Sequence, residues 1–144
     1  MTPCLCAALR QAARAVTRLY DAELRGTGLR VTQFTLLCIL SRSGEVRQGE
    51  LGELSSIDET TLTRSLRPLE KGGWVSIRAG SDRREKRVTI TKAGAKKLGE
   101  ARLAWSRAQE RMQRVLPGET WNLLLEALPD VTQRASKTTS GEAS

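Results

Sequence analysis

The sequence predicts a mainly α-helical protein with one small β-hairpin, and three observations support that fold class. Apolar residues recur at spacings of three and four along several long segments, which is typical of amphipathic helices. Residues 74–90 alternate apolar and polar side chains on both sides of a turn, which is typical of a hairpin. The chain has 144 residues, enough for one domain with a modest core.

Four helices are expected before the hairpin, at about residues 3–25, 32–42, 48–55 and 58–71. Glycines at 26 and 28 end the first helix, and a glycine pair at 72 and 73 ends the fourth. Thr32 is the expected N-cap of the second helix, and either Ser56 or Asp58 caps the fourth. Leu51 and Leu54 should point inward from the short third helix, and residues 42–46 should form a loop.

Two helices are expected after the hairpin, at about residues 92–115 and 119–134, separated by Pro117. Residues 135–144 have little to bury, so we expect a disordered tail there. The third and fourth helices followed by a hairpin predict a winged helix-turn-helix lobe.

The fourth helix has two contrasting faces. If each residue advances about 100°, Leu62, Leu66 and Leu69 fall within an arc of about 60° and form the core stripe. Hydroxyl and cationic residues cover the opposite face, and N-terminal residues of a recognition helix lie deepest in a major groove. We therefore expect the bases to be read by Thr60, Thr61, Thr63 and Arg64. Contacts to phosphates, which position the helix, are expected from Arg67, Lys71 and Arg87.

Positive charge is concentrated in the same region. The net charge is +8, and residues 60–92 carry nine basic and three acidic side chains. Such a run can simply be a solvated surface, but its position favours an anionic partner such as DNA. We expect Arg83 or Arg84, on a wing tip at residues 80–86, to enter a minor groove, and Asp82 to orient an arginine. The pattern does not distinguish between the two arginines.

The segment "TTLTRSLRPLEKGGWVSIRAGSDRREKRVTITKAG" resembles the MarR family of bacterial transcriptional regulators, and the likeness spans roughly residues 5–133. The resemblance implies a homodimer that binds pseudo-palindromic double-stranded DNA, and it implies that a small ligand or an oxidant weakens this DNA binding. It assigns residues 1–31 to dimerisation and sensing, 32–92 to DNA binding and 93–134 to dimerisation. A two-fold interface would bury the apolar stripes of the terminal helices and set two recognition helices roughly 34–36 Å apart.

The segment "CLCAALRQAARAVTRLY" is similar to the first helix of the organic-hydroperoxide repressors in that family. The similarity implies that the Cys6 thiolate is oxidised and that Tyr20 is its hydrogen-bond partner. Cys4 is a candidate resolving partner, but a direct disulfide between residues i and i+2 would require the helix start to unwind. Val31 and Phe34 stand where a second tyrosine is expected. Three other interpretations stay open: simple packing of the cysteines, a soft-ion site made by Cys4, Cys6 and Cys38, or an aromatic or amphipathic ligand bound between the dimer arms and the DNA-binding lobes.

The sequence argues against an enzyme. It has no histidine and no Gly-rich phosphate loop, and no motif pairs its carboxylates. We expect no cofactor, a cytoplasmic location without membrane contact, and repressor activity on DNA. The alternative is a winged-helix module for protein assembly or RNA binding, without sequence-specific DNA readout.

Overall fold

The structure, a computed structural model, describes residues 2–141 and divides into two compact units, with the boundary between residues 108 and 109. The first unit contains the first four helices, the sheet and most of the fifth helix, and the second unit contains the end of the fifth helix and all of the sixth. The helices are α1 Leu5–Leu24, α2 Val31–Ser43, α3 Gln48–Ser55, α4 Glu59–Lys71, α5 Lys92–Val115 and α6 Gly118–Gly141. The strands are β1 Val46–Arg47, β2 Val75–Ala79 and β3 Lys86–Ile90. The predicted fold class is confirmed.

The sheet has a third strand that the alternation pattern did not predict. The strand order is β1-β3-β2, and both pairings are antiparallel. Val46 of β1 lies opposite Val88 of β3, which lies opposite Ile77 of β2. A strand of two residues is too short to show a period-2 pattern, so the prediction missed β1. The last residue of the expected loop at residues 42–46 belongs to this strand.

The core of the first unit lies between α2, α3, α4 and the inner face of the sheet. Leucines fill most of it, and Leu62, Leu66 and Leu69 of α4 are all buried, as the helical wheel predicted. The expectation for α3 was half wrong: Leu51 is buried, but the Leu54 side chain is 53% exposed. Phe34 stacks on Trp105 of α5 with ring centroids 5.8 Å apart.

The start of α2 differs from the prediction, because Arg30 and not Thr32 is the N-cap. Asp21 of α1 accepts a hydrogen bond from the Val31 backbone N–H at 2.8 Å, so a side chain from another helix satisfies this terminus. The Gln33 side chain also accepts from the Arg30 N–H at 2.9 Å.

The end of α4 is joined to the start of α5 through Thr91. Its hydroxyl donates to the Gly73 carbonyl at 2.6 Å and accepts from the Gly94 N–H at 3.0 Å. Its backbone N–H donates to the Trp74 carbonyl at 3.1 Å. Gly73 has φ +76°, a conformation that favours glycine at this turn. These bonds fix where α4 ends relative to α5.

The second unit contains the end of α5 and all of α6. The expected disordered tail, residues 135–144, is wrong for residues 135–141, which continue α6, while residues 142–144 lie outside the described part. A helix that has already formed extends by one backbone bond per residue, so it needs no buried face of its own to continue. Three hydroxyls in this part, those of Thr138, Thr139 and Ser140, donate to carbonyls four residues earlier. In the described chain, no helix combines the length and apolarity that spanning a bilayer requires.

Candidate nucleic-acid interface

The exposed face of α4 carries the residues that the sequence assigned to DNA. Thr60, Thr61, Arg64, Arg67 and Lys71 are all exposed. Thr63 is half-buried at the side of the helix. Because the leucine stripe holds the opposite side of α4 in the core, this polar face must point outward.

Asp58, and not Ser56, caps α4. Its carboxylate accepts from the Thr61 backbone N–H at 2.9 Å and from the Thr61 hydroxyl at 2.7 Å. These bonds lower the pKa of Asp58, with the backbone N–H of Thr61 contributing most. Ser56 instead ends α3 with φ +55°. The Thr61 hydroxyl therefore donates its proton to the cap residue. It can contact a base only as a hydrogen-bond acceptor, which limits the base-reading role expected of Thr61.

Gln48 lies beside the predicted base-reading residues, and the sequence reasoning missed it. It begins α3, and its side-chain amide donates to the Thr63 hydroxyl at 3.4 Å. The first helix of a helix-turn-helix crosses the DNA backbone, so a polar residue at its start was a signal that could have been used.

The wing tip is a tight turn organised by Asp82. Its carboxylate accepts from the Arg84 backbone N–H at 3.2 Å, and its carbonyl accepts from the Glu85 N–H at 2.9 Å. The Asp82 carboxylate thus orients the backbone of the turn, and no guanidinium bond to it is seen in the described chain. Arg83 and Arg84 are both exposed on this turn.

Two grooves meet along a line formed by Gln48, Thr63 and Lys86. The groove between α4 and β2, here called the wing valley, is rich in cations. Its charged residues are Arg67, Arg78, Arg83 and Lys86 against the single carboxylate of Glu70. The groove between the starts of α3 and α4, here called the cap groove, is rich in carboxylates. Its charged residues are Arg47, Arg84 and Lys86 against Glu50, Glu53, Asp58, Glu59 and Glu85. The electrostatic attraction for phosphates is therefore strongest on the wing-valley side.

Arg87, expected to hold a phosphate, lies on the sheet face opposite the core. Val88 beside it is buried, and alternate residues of a strand point to opposite faces. Its guanidinium is 3.2 Å from the Glu85 carboxylate, which is also 3.5 Å from the Arg47 guanidinium. Arg87 is therefore partly neutralised, and its contact with DNA stays a prediction. Lys86, one residue earlier, lines both grooves and was missed, although the same alternation could have found it.

The three cysteines do not form the proposed soft-ion site. Cys4 precedes α1 and Cys6 lies in its first turn, both exposed, whereas Cys38 on α2 is half-buried against the core. Among residues 2–141, no group of three histidines, cysteines or carboxylates is placed to hold a metal. Burial raises the pKa of the Cys38 thiol, and nearby Arg102 and Arg42 oppose that effect.

Cys6 and Tyr20 lie at opposite ends of α1. Tyr20 lies fourteen positions after Cys6, which is about 21 Å along the helix axis. The Arg10 guanidinium approaches the Cys6 sulfur at 3.7 Å, while Tyr20 is largely buried and its pKa is raised by that burial. The expected bond between the Cys6 thiolate and Tyr20 would therefore require the tyrosine of a second subunit.

Comparison with known proteins also identifies a helix-turn-helix regulator. A family model described as MarR family matches residues 29–86. The HTH-type transcriptional regulator YwoH of Bacillus subtilis is 32% identical over 104 residues, which cover 72% of this chain and 76% of YwoH. The M. tuberculosis transcriptional regulator MosR, solved in complex with DNA, is 32% identical with a TM-score of 0.82, covering 94% of this chain and 98% of MosR.

Wild-type MarR from E. coli, in its apo form, shares the fold with a TM-score of 0.71 at 23% identity, covering 91% of this chain and 98% of that one. The family match covers α2 to the start of β3, and the similarity to YwoH and MosR extends over most of the chain. The protein belongs to the MarR family of winged helix-turn-helix transcriptional regulators.

Proposed function

We propose that the protein is a homodimeric, sequence-specific regulator that binds pseudo-palindromic double-stranded DNA and acts as a repressor. Helix α4 lies in the major groove, and the wing tip at residues 80–86 lies in the adjacent minor groove. Family membership already supports the expectation that the protein is a regulator and not an enzyme. MosR, similar over nearly its whole length, has been solved with DNA, which supports the choice of partner.

The observation that carries the proposal is the division of α4 into two faces. Leu62, Leu66 and Leu69 are at most 1% exposed, so they hold the helix rigidly on the core. The opposite face presents Arg64 and Arg67 to solvent beside the cationic wing valley. A rigid helix with arginines on its free face can grip guanine edges in a major groove, and the neighbouring cations attract the phosphates.

A second copy of the chain is proposed to cover apolar surface at both ends of the sequence. In α6, Leu123 and Leu125 are 63% and 59% exposed, and none of its described residues is buried. In the first unit, Leu5 of α1 and Leu103 of α5 are 65% and 68% exposed. Large exposed apolar patches mark interaction sites, and a two-fold interface uses the same patch on both subunits.

The signal that releases the DNA is proposed to be an oxidant, an electrophile or a small ligand. Cys6 is exposed and accessible to such a reagent at the start of α1. If α1 belongs to the dimer interface, a change at Cys6 can alter the spacing of the two α4 helices and thereby weaken DNA binding.

The proposal is tested by selecting bound sequences from a random duplex pool and from a matched RNA pool, with sedimentation of the free protein and of the complex. We expect a two-fold symmetric consensus from the duplex pool, no enrichment from RNA, and two chains on each bound duplex. Enrichment from RNA alone, or binding of all duplexes equally by a monomer, would show instead a winged-helix module without sequence readout.

A further inference from the structure

The Thr63 hydroxyl lies where the wing valley and the cap groove meet. Thr63, Gln48 and Lys86 line both grooves, and Thr63 and Gln48 are half-buried. The Gln48 side-chain amide donates to the Thr63 oxygen at 3.4 Å. A side chain of α3 therefore holds a hydroxyl of the recognition helix at the centre of the proposed interface.

A threonine hydroxyl has one proton to donate, and where it goes decides what the residue presents to a partner. Thr35, Thr132 and Thr138 donate theirs to the helix carbonyl four residues earlier. Thr61 donates its proton to Asp58. In the described part of the chain, the contact of Thr63 with Gln48 is the one side-chain hydrogen bond seen for Thr63, and in it the hydroxyl accepts. Its proton is thus left for the groove.

We propose that Gln48 is a positioning residue that sets the hydrogen-bond polarity of Thr63, so that Thr63 reads DNA as a donor. This inference rests on the proposed DNA-binding function. Acceptors that such a donor can meet in the major groove are N7 and O6 of guanine, N7 of adenine and O4 of thymine. Cytosine presents an N4 donor there and is disfavoured. Thr61 is the opposite case, because its hydroxyl donates to the Asp58 carboxylate and presents only lone pairs to the groove.

Substitutions at position 48 separate polarity from shape. Gln48→Glu places a carboxylate beside Thr63 that accepts but cannot donate, so the Thr63 proton turns toward it and the hydroxyl then presents lone pairs to the DNA. Gln48→Met keeps the length of the side chain and removes the hydrogen bond. Thr63→Val keeps the branched shape of Thr63 and removes the hydroxyl, so it identifies the base position that Thr63 reads.

The experiment selects bound duplexes from one random pool with the wild-type protein and with these three variants of the full-length chain. We expect Thr63→Val to lose base preference at one position in each half-site. Gln48→Met should lose preference at that same position by about 2- to 10-fold, the worth of one hydrogen bond. Gln48→Glu should shift the preference at that position toward cytosine, whose N4 amino group is a donor in the major groove. The preference is the readout because the added negative charge lowers the affinity for every duplex.

Three results would bear on the idea in different ways. Wild-type preference retained at the Thr63-dependent position by both Gln48 variants would overturn the positioning role, as would a Thr63→Val variant with an unchanged consensus. A wild-type protein that enriches no sequence would overturn the proposed function itself. Melting temperatures near the wild-type value establish that each variant is folded, and if Gln48→Glu unfolds, Gln48→Met alone decides the matter.

Discussion

Gly94 should be the least replaceable glycine of α5, because its Cα lies against the turn that ends α4. A β-carbon at this position would fall directly on the Trp74 carbonyl oxygen and within 2.8 Å of the Ile90 side chain. The Trp74 carbonyl is backbone and already accepts from the Thr91 N–H, so it cannot move without disturbing the joint between α4 and α5. Gly94→Ala therefore forces the start of α5 away from the sheet.

The expected loss in the free energy of unfolding has three parts. Overpacking costs about 1–3 kcal/mol. Loosening the two hydrogen bonds of the Thr91 hydroxyl costs about 0.5–1.5 kcal/mol each. The higher helix propensity of alanine returns about 1 kcal/mol. The net loss is about 3 kcal/mol, and in a chain of this length it should lower the melting temperature by about 10 °C.

Thermal unfolding followed by circular dichroism checks this, with Gly99→Ala as the matched control. Gly99 lies in the same helix, and a β-carbon there would have no heavy atom within 4 Å. Gly99→Ala should gain about 0.5–1 kcal/mol from propensity and melt slightly higher than the wild type. All three proteins must be compared at one concentration because dimerisation shifts the melting point. Equal melting temperatures for the two variants would refute the packing argument at Gly94.

Three further predictions concern the interface and the sensor. Arg64→Ala should lower the binding free energy for the selected duplex by about 1–3 kcal/mol and relax the base preference. Arg67→Ala should lower the affinity for all duplexes alike and reduce the slope of log affinity against log salt by about one. Fluorescence anisotropy titrations distinguish the two effects, and a sequence-selective loss of affinity in Arg67→Ala would contradict its assignment to phosphate. Peroxide should release the wild-type protein from DNA and leave Cys6→Ser bound; equal release of both in a gel-shift assay would eliminate Cys6 as the switch. Because hydrogen bonds lower the pKa of Asp58 below its ordinary 3.8, its charged form adds stability above pH 3.8 that is lost as pH falls through the lower folded-state pKa. The stability difference between wild type and Asp58→Asn in urea titrations should therefore shrink as pH is lowered through that range, and a difference that grows would contradict the sign.

The parts of the fold that the sequence predicts well are those governed by local periodicity. The leucine stripe of α4 is recognisable because one-sided burial imposes a spacing of three and four, and the hairpin because β2 and β3 each span five residues. Strand β1 is different, since two residues acquire strand structure only by pairing with β3, a contact made by residues far apart in sequence. Leu54 was misassigned because an eight-residue helix has too few turns to define its buried face.

The site was predictable in outline but not in its hydrogen bonds. Exposure of Arg64 and Arg67 follows from the helical wheel alone. The competing partners do not: Thr61 is held by Asp58, Thr63 by Gln48, and Arg87 lies beside Glu85. These partners depend on which side chains the fold brings together at a helix start, between two helices or along a strand. Sequence spacing gives the candidates for these roles, and the tertiary structure selects among them.

Recognition of the sequence of a DNA duplex by the outward face of α4 and the wing is the core of the proposed function. It is tested most directly by measuring the affinity of the full-length protein for its selected duplex and for a scrambled duplex over a range of salt concentrations. Both affinities should fall linearly with salt concentration on logarithmic axes, because the release of counterions from the DNA becomes less favourable, and the selected duplex should be bound at least about 10³-fold more tightly than the scrambled one. Equal affinity for the two duplexes, or binding that does not change with salt, would contradict it.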